Sequence, residues 1–281
     1  MKFIMLGSGG YIRIPRACCN CKVCSEARKK GYPYKRLGQS LYLEDENILF
    51  DTPEDINEEL NHLKIQKVDN IIYSHWHPDH TLGYGIMETL RENKGLNPIK
   101  VYMPGYDLDI SLRGNKVLPF FESKEYCKLN ILEDTVNIGK INIKRIPLTN
   151  GFASGFIISD GIKKIFYCPC HAISIPIMEE LKNMDCVIMN LGNLYKDDTN
   201  LTNFKRDNLR IIDELKPKKT IFTHIEETEN TTYSEFKEME KQYKNLYFGY
   251  DGMIINVWKS GDKWVTAFLW DYNYRGIIIV L

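Results

Sequence analysis

The chain of 281 residues carries no excess of either charge, since 37 lysines and arginines face 37 aspartates and glutamates. No global field therefore draws it to nucleic acid or to an anionic membrane surface. Long apolar runs are missing as well. The opening MKFIMLGSGG breaks at its glycines, too short for a signal-peptide core or a bilayer span, which sets the expectation of a cytoplasmic protein. The closing GIIIVL is too short for an anchor and reads as a last strand. Repeats, low-complexity tracts and Ser/Pro-rich linkers are also lacking, so one domain over 1–281 is expected. Histidine is scarce, at six residues, and its placement is correspondingly informative.

Short β-branched and aromatic runs recur along the chain: KFIML (2–6), SLYLE (40–44), NILFD (47–51), NIIYS (70–74) and KVYMP (100–104). INIKRIP (141–147), GFIIS (155–159), KIFYC (164–168), CVIMN (186–190), TIFTH (220–224) and MIINV (253–257) follow. Some alternate with the period of half-buried strands, and others suit central strands. Helical spacing falls at 54–63, 204–215 and 233–243, the last with Ser234 as the expected N-cap. Strands outnumber helices and group like hairpins, which favours two sheets with helices packed outside over an alternating series.

Half of the histidines lie in YSHWHPDH (73–80), directly after an apolar strand. His75 and His77, two apart, share a side of an extended chain. Pro78 ends the strand, and Asp79 and His80 lie on the turn into the next helix. Such a set can face two adjacent divalent ions, zinc or manganese, which lower the pKa of a shared water towards ~7. His62 lies on a polar helix pattern and reads as solvated.

The eight cysteines are uneven. Cys127 and Cys186 stand alone in strand-like stretches and read as buried thiols. Cys19, Cys21 and Cys24 fall within six residues and can wrap one tetrahedral ion, zinc by their spacing rather than an iron–sulfur cluster. The expected role is structural, in a cysteine-rich loop at about 15–30 that ties the 10–35 segment to the sheet. Cys168 points to the core.

SHWHPDH resembles the H-x-H-x-D-H signature of the metallo-β-lactamase superfamily, and MLGSGG, NILFDTPED, FTHIEE and FGYDGM resemble its other conserved-order segments. The likeness spans nearly the whole chain. It implies an α/β (α+β) four-layer αβ/βα sandwich of two mixed sheets with outer helices, and metals at one edge between the sheets. The cysteine loop and KRLGQSLYL are most similar to the cyclic phosphodiesterases of the carbon–phosphorus lyase pathway and to the pyrroloquinoline quinone biosynthesis B proteins.

What the resemblance implies is a ligand set of His75, His77, Asp79, His80 and His224, with Asp79, His80 and Asn203 as the catalytic group. The family's third histidine falls at Asn150, and its bridging aspartate at Cys170, beside His171. A metal role for Cys170 or His171 is weighed against an inert CPC turn. The fourth ligand of the cysteine-loop zinc, a histidine in the phosphodiesterase, falls at Glu227, with Cys18 as the other candidate. Asn203 stands where a proton donor is expected, and an amide gives no proton. The function expected is a metal-dependent hydrolase, a phosphodiesterase acting on a small or cyclic phosphodiester through a metal-bound hydroxide. The alternative is a metal-binding accessory protein of a biosynthetic pathway with an altered site. The expected partner is a small-molecule substrate, with no nucleic acid and no membrane, and a homodimer is compatible with the sequence.

Overall fold

The computed structural model describes residues 1–114, 116–192, 194, 201 and 203–257, together with the backbone of two strands at 265–270 and 276–280. Six strands come first: β1 Lys2–Gly7, β2 Ser40–Leu43, β3 Ile48–Phe50, β4 Asn70–Ile72, β5 Ile99–Met103 and β6 Cys127–Ile131. Seven more build a second sheet: β7 Thr135–Ile138, β8 Ile141–Pro147, β9 Ser154–Ser159, β10 Lys164–Cys168, β11 Cys186–Asn190, β12 Thr220–Thr223 and β13 Leu246–Phe248. The chain then returns to the first sheet with β14 Met253–Asn256, β15 Val265–Trp270 and β16 Gly276–Val280. The orders are β16-β15-β14-β1-β2-β3-β4-β5-β6 and β13-β12-β11-β10-β9-β8-β7. Both sheets are mixed: β1 pairs antiparallel with β2, while β3, β4, β5 and β6 run parallel, and β10 to β13 repeat that arrangement.

Period-2 alternation divides the apolar residues into three layers of contact. Phe3, Met5, Phe50 and Ile72 face Phe156, Ile158, Tyr167 and Ile188 between the sheets. Phe50 touches Phe156 and Tyr167 with ring centroids 5.8 and 5.4 Å apart, each ring contributing about 2–3 kcal/mol by burial. Their alternates face outwards. Ile4, Leu49, Ile71 and Tyr73 pack under the helices Ile56–His62, Ile86–Arg91, Gly105–Gly114 and Val117–Ser123. Phe166, Val187, Phe222 and Phe248 pack under a helical segment from Phe204 to Leu215 and the helix Tyr233–Glu240. This is the four-layer αβ/βα sandwich that the resemblance implied.

The strongly patterned strands fall where the sequence put them, and GIIIVL does complete a strand. β7, β13 and β15 were not anticipated, because short or half-exposed strands carry little apolar signal. Thr232, not Ser234, caps the 233–240 helix, in a reciprocal pair with Glu235. The 10–35 segment is not loop throughout: Lys22–Lys30 is a helix, with the Cys21 sulfur accepting from Cys24 N at its start. His62 is not merely solvated, since its ring stacks on Tyr32 at 4.1 Å. No helix among the described residues is long and apolar enough to cross a membrane.

Candidate metal centre

Four strands end at one edge of the sandwich and deliver the polar residues there. Asp51 follows β3, the run from Ser74 to His80 follows β4, Cys170 and His171 follow β10, and His224 follows β12. Parallel strands place their carboxyl ends on the same side, so residues far apart in sequence become neighbours. Five of the six histidines meet at this edge, all but His62.

The strand β4 stops at Ile72, and His75 and His77 project from the turn that follows, their rings 4.5 Å apart. Pro78 opens the short helix Pro78–Thr81, which carries Asp79 and His80. The ring of His171 lies 5.7 Å from both His75 and His77. Ligand atoms of His75, Cys170 and His171 fall within 4.8 Å of one another, and so do those of His80, Cys170 and His224. Cys170 therefore belongs to both groups. Asp79 joins the second, with Oδ2 3.3 Å from His80 Nε2 and accepting from His224 Nε2 at 3.2 Å. His77 borders the first group without belonging to it.

The donor set fits divalent ions. Nε2 of His75, of His80 and of His171 are all buried with no hydrogen-bond partner, which is costly for an imidazole nitrogen unless it gives its lone pair to something else. The opposite nitrogens are fixed. His80 Nδ1 donates to Asp51 Oδ2 at 2.8 Å, and Asp51 also accepts from Ser74 N and Ser74 Oγ at 2.8 and 2.9 Å. His75 Nδ1 lies 3.0 Å from Ser74 Oγ. Burial and the neighbouring His80 push the His75 imidazole down to about 4, so its lone pair is free at neutral pH. Burial works to raise the Asp79 and Cys170 acids, but interaction with the neighbouring imidazoles outweighs it and holds both below their ordinary values.

Asn150 turns its Oδ1 to its own loop, where it accepts from Phe152 N and Ala153 N, both at 3.2 Å. His171, with its backbone at φ 57°, is the imidazole that stands beside His75 and His77. Asn203 is buried and lines the same cavity, of about 1070 Å³, with its Oδ1 unpartnered. Cys168 is core, as expected.

The second cluster brings Cys19, Cys21, Cys24 and Glu227 within 4.8 Å. Cys19 Sγ and Cys21 Sγ approach Glu227 Oε1 at 3.3 and 3.1 Å. Cys18 is exposed, with its backbone at φ 58°, and stands outside the group. Three thiols and one carboxylate are a tetrahedral zinc donor set. Glu227 is three residues from His224, so one short segment serves both clusters.

Asp51 and Gln39 are hydrogen-bonded to residues of this site, His80 and His224, and the sequence reading did not single them out. Asp51 had a signal, an acid closing an apolar strand with no charged partner nearby in sequence. Gln39 had none.

Paired imidazole clusters at the edge of a two-sheet sandwich are a donor set that could hold divalent ions. The chain belongs to the β-lactamase superfamily: a family model described as "Beta-lactamase superfamily domain" matches residues 46–225. Proteins of this superfamily bind divalent metals. No curated protein sequence matches the chain. Among solved structures, a diphosphatase from the PhnP family is similar at 21% identity, with 91% of this chain and 97% of that chain covered and a TM-score of 0.74. Zn(2+)-bound PqqB from Methylobacterium extorquens is similar at 18% identity, covering 92% and 100%, with a TM-score of 0.73. The metallo-β-lactamase fold protein YhfI from Bacillus subtilis follows at 15% identity, 91% and 99%, and 0.64. At these identities the likenesses speak for the fold.

Proposed function

We propose that the protein is a metal-dependent hydrolase that cleaves a small or cyclic phosphodiester. The observation that carries this reading is the convergence of three buried, unpartnered imidazole Nε2 atoms beside a cysteine common to two ligand groups. His75 and His171, with His77 adjacent, would hold one divalent ion, and Asp79, His80 and His224 the other. Ions so held supply Lewis acidity and acidify a water towards pKa ~7. Asp79, kept ionised between His80 and His224, is placed to orient a nucleophile by accepting a hydrogen bond from it. Asn203 faces the cavity with a free amide oxygen and can orient a substrate hydroxyl or leaving group. The similarity to a diphosphatase supports cleavage at phosphorus. Cys19, Cys21, Cys24 and Glu227 would hold a structural zinc.

One observation favours a second reading, a metal-binding accessory protein: Asn203 offers a leaving group no proton. The test is metal analysis beside hydrolysis of bis(4-nitrophenyl) phosphate by the zinc- and manganese-loaded protein. Turnover that disappears in His80→Ala and His171→Ala supports the hydrolase. A fully loaded protein that turns over no phosphodiester sinks it in favour of the accessory role.

A further inference from the structure

We propose that Cys170 bridges two metal ions through its sulfur and thereby tunes the centre to zinc-like ions over manganese and magnesium. The inference rests on the two-metal reading of the site and goes beyond it. Among the described residues, Cys170 alone belongs to both clusters at this edge, with His75 and His171 on one side and His80 and His224 on the other.

The local backbone fixes the sulfur there. Cys168 Sγ donates to Cys170 O at 3.2 Å, Ala172 N donates to Asn190 Oδ1, and His171 between them is held in the left-handed region at φ 57°. The turn is thereby pinned on both flanks, and Cys170 is half-buried at the cavity wall. At zinc–sulfur distances of about 2.3 Å, one sulfur spans two ions about 3.5 Å apart at an ordinary angle, the separation that two-metal hydrolytic sites use. A carboxylate bridge accepts hard ions such as manganese readily. A thiolate is a soft donor, and with imidazoles completing each group the set favours zinc, and cobalt as its spectroscopic substitute.

The experiment loads the full chain with cobalt and reads the sulfur-to-cobalt charge-transfer absorbance in the wild type and in Cys170→Asp. Both keep the three cysteines of the Cys19–Cys21–Cys24 cluster. A bridge contributes two of five cobalt–sulfur bonds, so the absorbance falls by about two-fifths in the variant. A fall of about one quarter means a terminal ligand on one ion and overturns the bridge, and no fall overturns any metal role. Cys170→Ser gives the same spectral loss if Cys170→Asp fails to fold. Equilibrium dialysis supplies the second readout: the zinc-over-manganese preference drops in Cys170→Asp, and an unchanged preference overturns the tuning. The hydrolase reading fails separately. A bridge seen in a protein without turnover removes the hydrolase and leaves this assignment in place.

Discussion

Asp51 Oδ2 lies 2.8 Å from His80 Nδ1, both fully buried, and joins the end of β3 to the turn after β4. This contact favours the tautomer with the proton on Nδ1 and turns Nε2 towards Asp79, Cys170 and His224, while the Asp51 charge, outweighing burial, raises the imidazole above its ordinary value. Asp51 also takes both hydrogen bonds of Ser74, so one carboxylate holds the first and last residues of the run from Ser74 to His80.

Asp51→Asn keeps the shape but presents an amide where a carboxylate should accept. Affinity for the ion at His80 and His224 should fall about 10- to 100-fold. Competitive titration with a zinc chelator measures it, and an unchanged affinity would remove Asp51 from the centre.

Gln39 holds the backbone of His224, where Asp51 holds the ring of His80. His224 sits at φ 54°, an unfavourable region for its side chain, and its N–H donates to Gln39 Oε1 at 3.2 Å. Thr223 Oγ1 donates to the same oxygen, and Gln39 Nε2 donates to Tyr167 OH at 2.9 Å, so the buried amide ties β10 and β12 to the start of β2. Gln39→Leu strands these groups and should lower stability by about 1–3 kcal/mol. It should also weaken metal binding at His224, while Gln39→Glu, with Tyr167 turned to donate, retains it. Urea unfolding and zinc titration on both variants provide the check.

Removal of the cysteine-site zinc should act at a distance. Cys21→Ser or Glu227→Gln should cost one bound zinc and open the 10–35 segment to proteolysis. Because Glu227 and His224 share one short segment, turnover should fall as well. Loss of that zinc with an intact proteolysis pattern would deny the cluster a structural role.

Asp107 gives a pH dependence outside the ligand set. It is buried, its Oδ1 accepts from Trp76 N at 3.0 Å, and burial pushes its carboxyl up to about 7 despite that bond and the Arg145 charge. The fold thus binds the proton more tightly than the unfolded chain, whose carboxyl titrates near 3.8. Its contribution to stability is present in full below about 4 and is lost as pH rises through about 7. Asp107→Asn keeps the acceptor and should flatten that part of the profile. Urea midpoints at stepped pH decide it: parallel curves for wild type and variant would refute the assignment.

Much was legible in the chain because local chemistry carries it. Short apolar runs marked β1 to β5, β8 to β12 and β14, some alternating where one face is buried and others continuous where both are. The spacing of His75, His77, Asp79 and His80 pointed to one candidate metal site, and the density of Cys19, Cys21 and Cys24 to another. Glu227 and His224 were placed through likeness to a family, not through their own spacing.

Tertiary structure alone decided which atoms meet. Asn150 Oδ1 is engaged by its own turn, whereas His171 joins His75 and Cys170 in one candidate ligand group. Glu227 prevailed over Cys18 because Cys18 stands exposed outside the cluster. Asp51 and Gln39 became visible only when β3 and β2 were set beside their partner strands. The physical reason is the same throughout: a strand's own side chains fix its pattern, whereas a ligand sphere forms from the ends of several strands, whose order in the sheet no local pattern encodes.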